Sequence, residues 1–166
     1  PGGTRGDYLL LVGAIESRKN PLLAAAAAEA AGRRLVVVGP ERDGDLLAQL
    51  RSRGADVRGF VEHDELVRLY QEAAALLFPT RYEGFGLPVA EAMACGTPVV
   101  ATPDAAVREI GGDAVAYADP DVFAETTVRV LANPEPYARA GLERAAALSW
   151  DETARRTVAV YREILG

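Results

Sequence analysis

The chain is poor in the residues that usually announce chemistry: it has one cysteine, one methionine, one tryptophan and one histidine in 166 residues. A lone cysteine, Cys95, excludes an internal disulfide and fits a reducing, cytoplasmic compartment. With only His63 beside it, no His/Cys cluster of metal-ligand spacing can be assembled, and none is expected. Positive charge is also scarce. Lys and Arg number 18 against 24 Asp and Glu, for a net charge of −6 and a pI near 4.9. That balance argues against a nucleic-acid partner, whose phosphates call for basic patches, but leaves room for a small anion held by a local cluster. No apolar run approaches the roughly 20 residues of a membrane-spanning helix. The opening residues carry no signal-peptide pattern. The sequence is silent on peripheral membrane contact. Walker-type loops and a nucleophile elbow are missing as well.

What is present is an ordinary globular composition, 49% hydrophobic and 25% charged. A chain of this length reads as one domain and buries roughly 70% of its unfolded surface. Pro1–Gly6 reads as a loop or linker. Short apolar runs ending in glycine or proline then alternate with helical patterns. Leu9–Val12, Leu35–Val38, Ala55–Phe60, Ala75–Phe78, Pro98–Ala101 and Ala114–Ala118 read as strands. Between them fall helices at Leu22–Ala31, capped by Asn20-Pro21, at Leu46–Arg53, capped by Asp45, and at Glu65–Ala74, with Leu66, Leu69, Tyr70 and Ala73 on one face. His63 and Asp64 open the last of these. After Asp119-Pro120 the chain turns helical, with helices to about Ala132, from Pro136 to Leu148, and from a Ser149/Glu152 capping box onward. The final helix carries Trp150, Ala154, Val158, Tyr161 and Leu165 on one stripe. Continuous apolar strands alternating with helices predict an α/β fold, a Rossmann-like, doubly wound parallel sheet of about six strands covered on both faces, followed by C-terminal helices. Ligands bind such sheets at the carboxyl ends of the strands. That rim comprises Gly13–Lys19, Gly39–Asp43, Phe60–His63, Pro79–Gly86 and Ala101–Ala106.

The densest signal on that rim is Glu83-Gly84-Phe85-Gly86-Leu87-Pro88, which runs through Glu91 to Gly96-Thr97-Pro98-Val99-Val100. Its glycines let the backbone approach a ligand. Pro88 suits the first turn of a helix, whose free amides and positive dipole end favour phosphate. Glu83 and Glu91, eight residues apart (91 − 83), can flank one ligand and accept hydrogen bonds from sugar or ribose hydroxyls. Glu91 sits among Val89, Ala90, Ala92, Met93 and Ala94, a helix apolar nearly all round, so its carboxylate is expected to be buried and in need of partners. Gly84-Phe85-Gly86 only begins a dinucleotide fingerprint, because Val89 stands where its third glycine belongs. Arg18 and Lys19, in the loop after the first strand, could face an anion, but spacing alone reads them as solvated loop charges.

Taken together, four segments resemble the C-terminal, nucleotide-sugar-binding domain of retaining glycosyltransferases of the GT-B fold, the glycosyltransferase group 1 family. They are Val12-Gly13 through Arg18-Lys19-Asn20; Val57-Arg58-Gly59-Phe60-Val61; Pro79 to Pro88 with Glu91 and Gly96–Val100; and Arg108-Glu109-Ile110-Gly111-Gly112-Asp113-Ala114. The third is highly specific and the others support it. The resemblance implies that residues 1–166 form one half of a GT-B fold, with the acceptor-binding N-terminal domain absent. It implies a donor site for a nucleotide diphosphate sugar, such as a GDP- or UDP-hexose, with no further cofactor and no metal. Lys19 and Glu83 would be the catalytic pair, Lys19 neutralising the diphosphate and Glu83 contacting the sugar. Gly13, Arg18, Val61, the amides of Phe85, Gly86 and Leu87, and Glu91 would bind the donor, with Glu91 on the ribose and Val61 at the strand end that meets the base. Where many relatives carry an arginine after the first-loop glycine, this chain has Ala14; either Arg18 substitutes for it or Lys19 serves alone. A non-catalytic nucleotide-sugar module, or half of an epimerase or phosphorylase on the same fold, remains open at this point.

Overall fold

The computed structural model describes residues 6–165, so the expected linker Pro1–Gly6 lies almost wholly outside it. Six parallel strands form one sheet in the order β3-β2-β1-β4-β5-β6. They are β1 (Tyr8–Val12), β2 (Arg34–Val38), β3 (Asp56–Gly59), β4 (Ala75–Phe78), β5 (Val99–Ala101) and β6 (Ala116–Tyr117). The helices are α1 (Pro21–Ala30), α2 (Gly44–Ser52), α3 (His63–Glu72), α4 (Leu87–Ala94), α5 (Ala105–Gly111), α6 (Phe123–Ala132), α7 (Glu135–Ala146) and α8 (Trp150–Leu165).

The strands are apolar throughout because both faces are covered. Along β1, Leu10 packs with Tyr70, Val89 and Met93, whereas Leu9 and Leu11 pack with Ala24, Leu50 and Phe123. β4 repeats the pattern, with Leu76 and Phe78 on the first face and Ala75 and Leu77 on the second. Helices α3, α4 and α5 therefore supply one layer and α1, α2 and α6 the other. Each fully buried leucine or phenylalanine contributes about 1.5–3 kcal/mol to that sandwich. The alanines of α1 let it lie close to the sheet and to α6.

Between β1 and β4 the winding reverses: β1 leads outward to β2 and β3, β4 outward to β5 and β6. The carboxyl ends of these two strands mark the switch point, where sheets of this kind place their ligand crevice. Glycine keeps the neighbouring ends close. A Cβ on Gly39, whose φ is +142°, would lie 2.1 Å from the carbonyl oxygen of Gly13.

Several details depart from the sequence reading. The α2 cap is Asp43, whose carboxylate accepts from the amides of Asp45 and Leu46 at 3.1 and 3.0 Å, because Gly44 and Asp45 already lie inside the helix. Asn20 occupies the N-cap position of α1 but in the left-handed region, and its side chain makes no capping bond. Helix α5, capped by Asp104, was not expected, and its first two residues fall in the stretch Ala101–Ala106 read as rim. The α6 helix begins at Phe123, after a turn. At the last helix only half of the capping box forms. The amide of Glu152 donates to Ser149 Oγ at 3.4 Å, while the Glu152 carboxylate pairs with Arg155 and Arg156. Helix α8 buries none of its side chains, so the whole stripe from Trp150 to Leu165 faces outward.

Candidate functional site

Two loops meet across the crevice. From β1 the chain passes Gly13 into a 3-10 turn, Ser17–Lys19; from β4 it passes Pro79 and Thr80 into the glycine turn before α4. The amide of Arg81 donates to the carbonyl of Arg18 at 2.9 Å, which joins the loops main chain to main chain.

This juncture brings Lys19 and Glu83 together, with Lys19 Nζ 2.5 Å from Glu83 Oε1. Both side chains are nearly buried, 11% and 9% exposed, so Lys19 is no solvated loop charge. Its stem lies against Gly13, where a Cβ would come within 3.1 Å of Lys19 Cε. The ammonium also sits 4.9 Å from the centroid of the Phe78 ring, a cation–π contact at the end of β4. Arg18 is more open. Its guanidinium binds Glu16 at 2.6 Å and Glu83 Oε1 at 3.2 Å, and it donates to the Tyr82 carbonyl at 2.8 Å. Thr80, fully buried, donates to the same Glu83 oxygen at 2.8 Å, and its own carbonyl accepts from the Thr102 hydroxyl. One carboxylate oxygen thus gathers a lysine, an arginine and a threonine. The Asp104 carboxylate, besides capping α5, accepts from the amide of Glu83 at 3.4 Å.

After Glu83 the chain turns through Gly86, whose φ of +91° no side-chain-bearing residue adopts without strain, and enters α4 with Pro88 in the first turn. The carbonyl of Gly86 accepts from the amides of Val89 and Ala90. Among the described residues the amides of Phe85, Gly86 and Leu87 have no acceptor, and the Phe85 and Leu87 side chains are exposed. These free donors lie at the positive end of a helix, a position whose chemistry suits an anion.

Glu91 corrects the sequence reading: it is exposed. Helix α4 is apolar almost all round, yet Val89, Ala92 and Met93 are its buried residues and Ala90 is partly buried against them. Glu91 accepts a hydrogen bond on Oε2 from the Tyr70 hydroxyl at 2.8 Å and pairs with no cation among the described residues. Burial, and then the Glu91 charge, push the Tyr70 hydroxyl well above the usual phenol range, so it stays a donor. Burial likewise raises the Cys95 thiol, one turn beyond Glu91. Beside Glu91, an apolar cavity of about 330 Å³ opens along the outer face of α4, bordered by Phe85, Leu87, Leu148 and Trp150. Val61, after β3, is half-buried with its side chain packed on the core. The neighbouring Phe60 ring is exposed.

Phe78, Thr80, Asp104 and Tyr70 were not legible as site residues. Thr80 lay within the Pro79–Pro88 motif, and Asp104 could have been found as the acid that opens a short helix. Tyr70 reads from spacing as core alone.

A parallel sheet in this strand order, with its crevice between β1 and β4, defines a Rossmann-like domain of the kind that forms one half of GT-B glycosyltransferases. The chain belongs to the glycosyl transferases group 1 family, whose model matches residues 6–133. It is 34% identical over 173 residues to an O-antigen chain mannosyltransferase B of Escherichia coli, covering 93% of this chain and 45% of the relative. A D-inositol 3-phosphate glycosyltransferase of Frankia alni is 37% identical, with coverage of 96% and 46%. Among solved structures, the sucrose-phosphate synthase of Thermosynechococcus elongatus superimposes with a TM-score of 0.82 at 26% identity, covering 96% of this chain and 46% of that one. AviGT4, a glycosyltransferase involved in avilamycin A biosynthesis, gives 0.71 at 27% identity, over 98% and 52%. The chain spans about half the length of the curated relatives it matches.

Proposed function

We propose that this chain is the donor-binding domain of a retaining glycosyltransferase, which transfers a hexosyl group from a nucleotide diphosphate sugar to an acceptor hydroxyl. The observation that carries the reading is the pairing of nearly buried Lys19 with Glu83 across the crevice, in the loop that also offers the unbonded amides of Phe85, Gly86 and Leu87. A diphosphate suits those amides and the Lys19 ammonium. Arg18 adds a second cation in the place left open by Ala14. As the glycosidic bond breaks, negative charge grows on the leaving diphosphate, and fixed donors there are worth about 10²–10³ each in rate. Glu83 faces the hexose, Glu91 the ribose hydroxyls, and the backbone at Val61 the base. The cationic work falls to side chains and amides, so the reading calls for no resident metal. The acceptor belongs to a second, N-terminal domain, and the chain alone binds donor without transferring it.

The test is calorimetric titration of the chain with UDP, GDP and ADP, with Glu91→Ala alongside. Saturable binding of one diphosphate, lost in the variant, is the expected result and names the base. Failure of all three, both here and in a two-domain protein carrying this chain, would sink the reading.

A further inference from the structure

We propose that Tyr70 is a positioning residue for the donor: its hydroxyl fixes one oxygen of Glu91 so that the other is presented to the ribose diol. The inference rests on the reading of Glu91 as the ribose acceptor. It starts from an asymmetry between the two glutamates. Glu83 is surrounded by two cations and a hydroxyl on a single oxygen, whereas Glu91 receives one neutral donor and no cation among the described residues. A carboxylate offers about four acceptor sites, so a single donor on Oε2 leaves Oε1 free for a pair of vicinal hydroxyls.

Tyr70 is built to hold that donor still. Its ring is buried between the sheet and α4 in the cluster that contains Val89, Ala92 and Met93. Its carbonyl accepts from the Thr97 hydroxyl at 2.5 Å, which staples the end of α3 to the turn leading into β5. The phenol therefore rises from the core at a fixed place and meets α4 from beneath. A phenylalanine would fill the same space without a buried hydroxyl that needs a partner. An exposed glutamate otherwise loses rotamer freedom when it binds a ligand, and a fixed donor removes part of that loss beforehand. Burial raises the Tyr70 pKa, which keeps the hydroxyl a donor.

The experiment compares the bound ribonucleoside diphosphate with its 2′,3′-dideoxy analogue by calorimetric titration of wild type, Tyr70→Phe and Glu91→Ala. Wild type is expected to prefer the ribose form. Tyr70→Phe is expected to weaken that form by about fivefold, the size of one net hydrogen bond, and to leave the dideoxy form unchanged. Equal weakening of both forms, or none, assigns Tyr70 a purely structural role and overturns the inference while Glu91→Ala still loses its ribose preference. If Glu91→Ala keeps the preference, the ribose reading of Glu91 fails and the inference falls with it.

Discussion

Lys19 Nζ lies 2.5 Å from Glu83 Oε1 although the two residues are 64 positions apart, one on each side of the reversal in strand order. The lysine proposed to meet a diphosphate is thus already engaged by a carboxylate. Glu83→Gln removes that competing charge but keeps a hydrogen-bond acceptor. It is expected to tighten binding of a bare nucleoside diphosphate by about three- to tenfold, on the scale of a charge-assisted hydrogen bond weakened to a neutral one. Titration of the variant checks this, and weaker binding would show that Glu83 serves mainly to place Lys19.

Lys19→Ala takes away the least exposed cation of the crevice while Arg18 and Thr80 still hold Glu83. Affinity for the diphosphate is expected to fall by about ten- to a hundredfold, the range of a hydrogen bond to a charged group. The melting temperature should stay close to wild type. An unchanged affinity would move the anion site elsewhere.

Gly39→Ala tests the closeness of the β1 and β2 ends. The added methyl meets the Gly13 carbonyl at 2.1 Å, and the φ of +142° is itself unfavourable for alanine. The expected loss is roughly 3 kcal/mol or more, read as a lower urea midpoint. A midpoint like that of wild type would mean the two loops are further apart than described.

Tyr8 sets an alkaline limit. Its hydroxyl donates to the Leu69 carbonyl at 2.8 Å; burial, and then the Glu72 charge, push its pKa up to about 12. The folded value is above the unfolded one of about 10. Between those values the unfolded chain has lost a proton that the folded one keeps, so stability is full below pH ~10 and declines as pH rises towards 12. Tyr70, shifted the same way, adds to the slope. Denaturant unfolding from pH 8 to 11.5 should show the decline, and Tyr8→Phe should make it shallower while costing about 1 kcal/mol at neutral pH.

The exposed face of α8 predicts association. Trp150, Val158, Tyr161, Ile164 and Leu165 are all solvent-facing, five large apolar or aromatic side chains on one helix, the kind of surface that favours association. Sedimentation velocity should show concentration-dependent self-association, abolished by the double substitution Tyr161→Glu and Ile164→Glu. A monomer at all concentrations would refute this.

The strands were legible because a parallel sheet buried on both faces demands continuous apolar runs, and Leu9–Val12 and Leu35–Val38 have them. The glycine turn and the start of α4 were legible because Gly86 and Pro88 each have few places in a fold where they are favoured. Helix α5 was not, since its seven residues span only two turns, too few for Val107 and Ile110 to stand out as a period. Glu91 was placed in the core because its neighbours are apolar. The alanines around it tolerate either side of a helix, so composition could not say which face met the sheet. Phe78 and Tyr70 act on Lys19 and Glu91 through contacts that join distant parts of the chain. No local pattern encodes such contacts.

The link from the Arg81 amide to the Arg18 carbonyl has a consequence for how such a domain can change over time. The two loops that frame the crevice are tied by peptide groups, which every residue except proline supplies alike. Side chains at Arg81 and Tyr82 can therefore be exchanged without breaking that main-chain tie. A lineage can drift at these positions while the main-chain tie across the mouth is inherited unchanged.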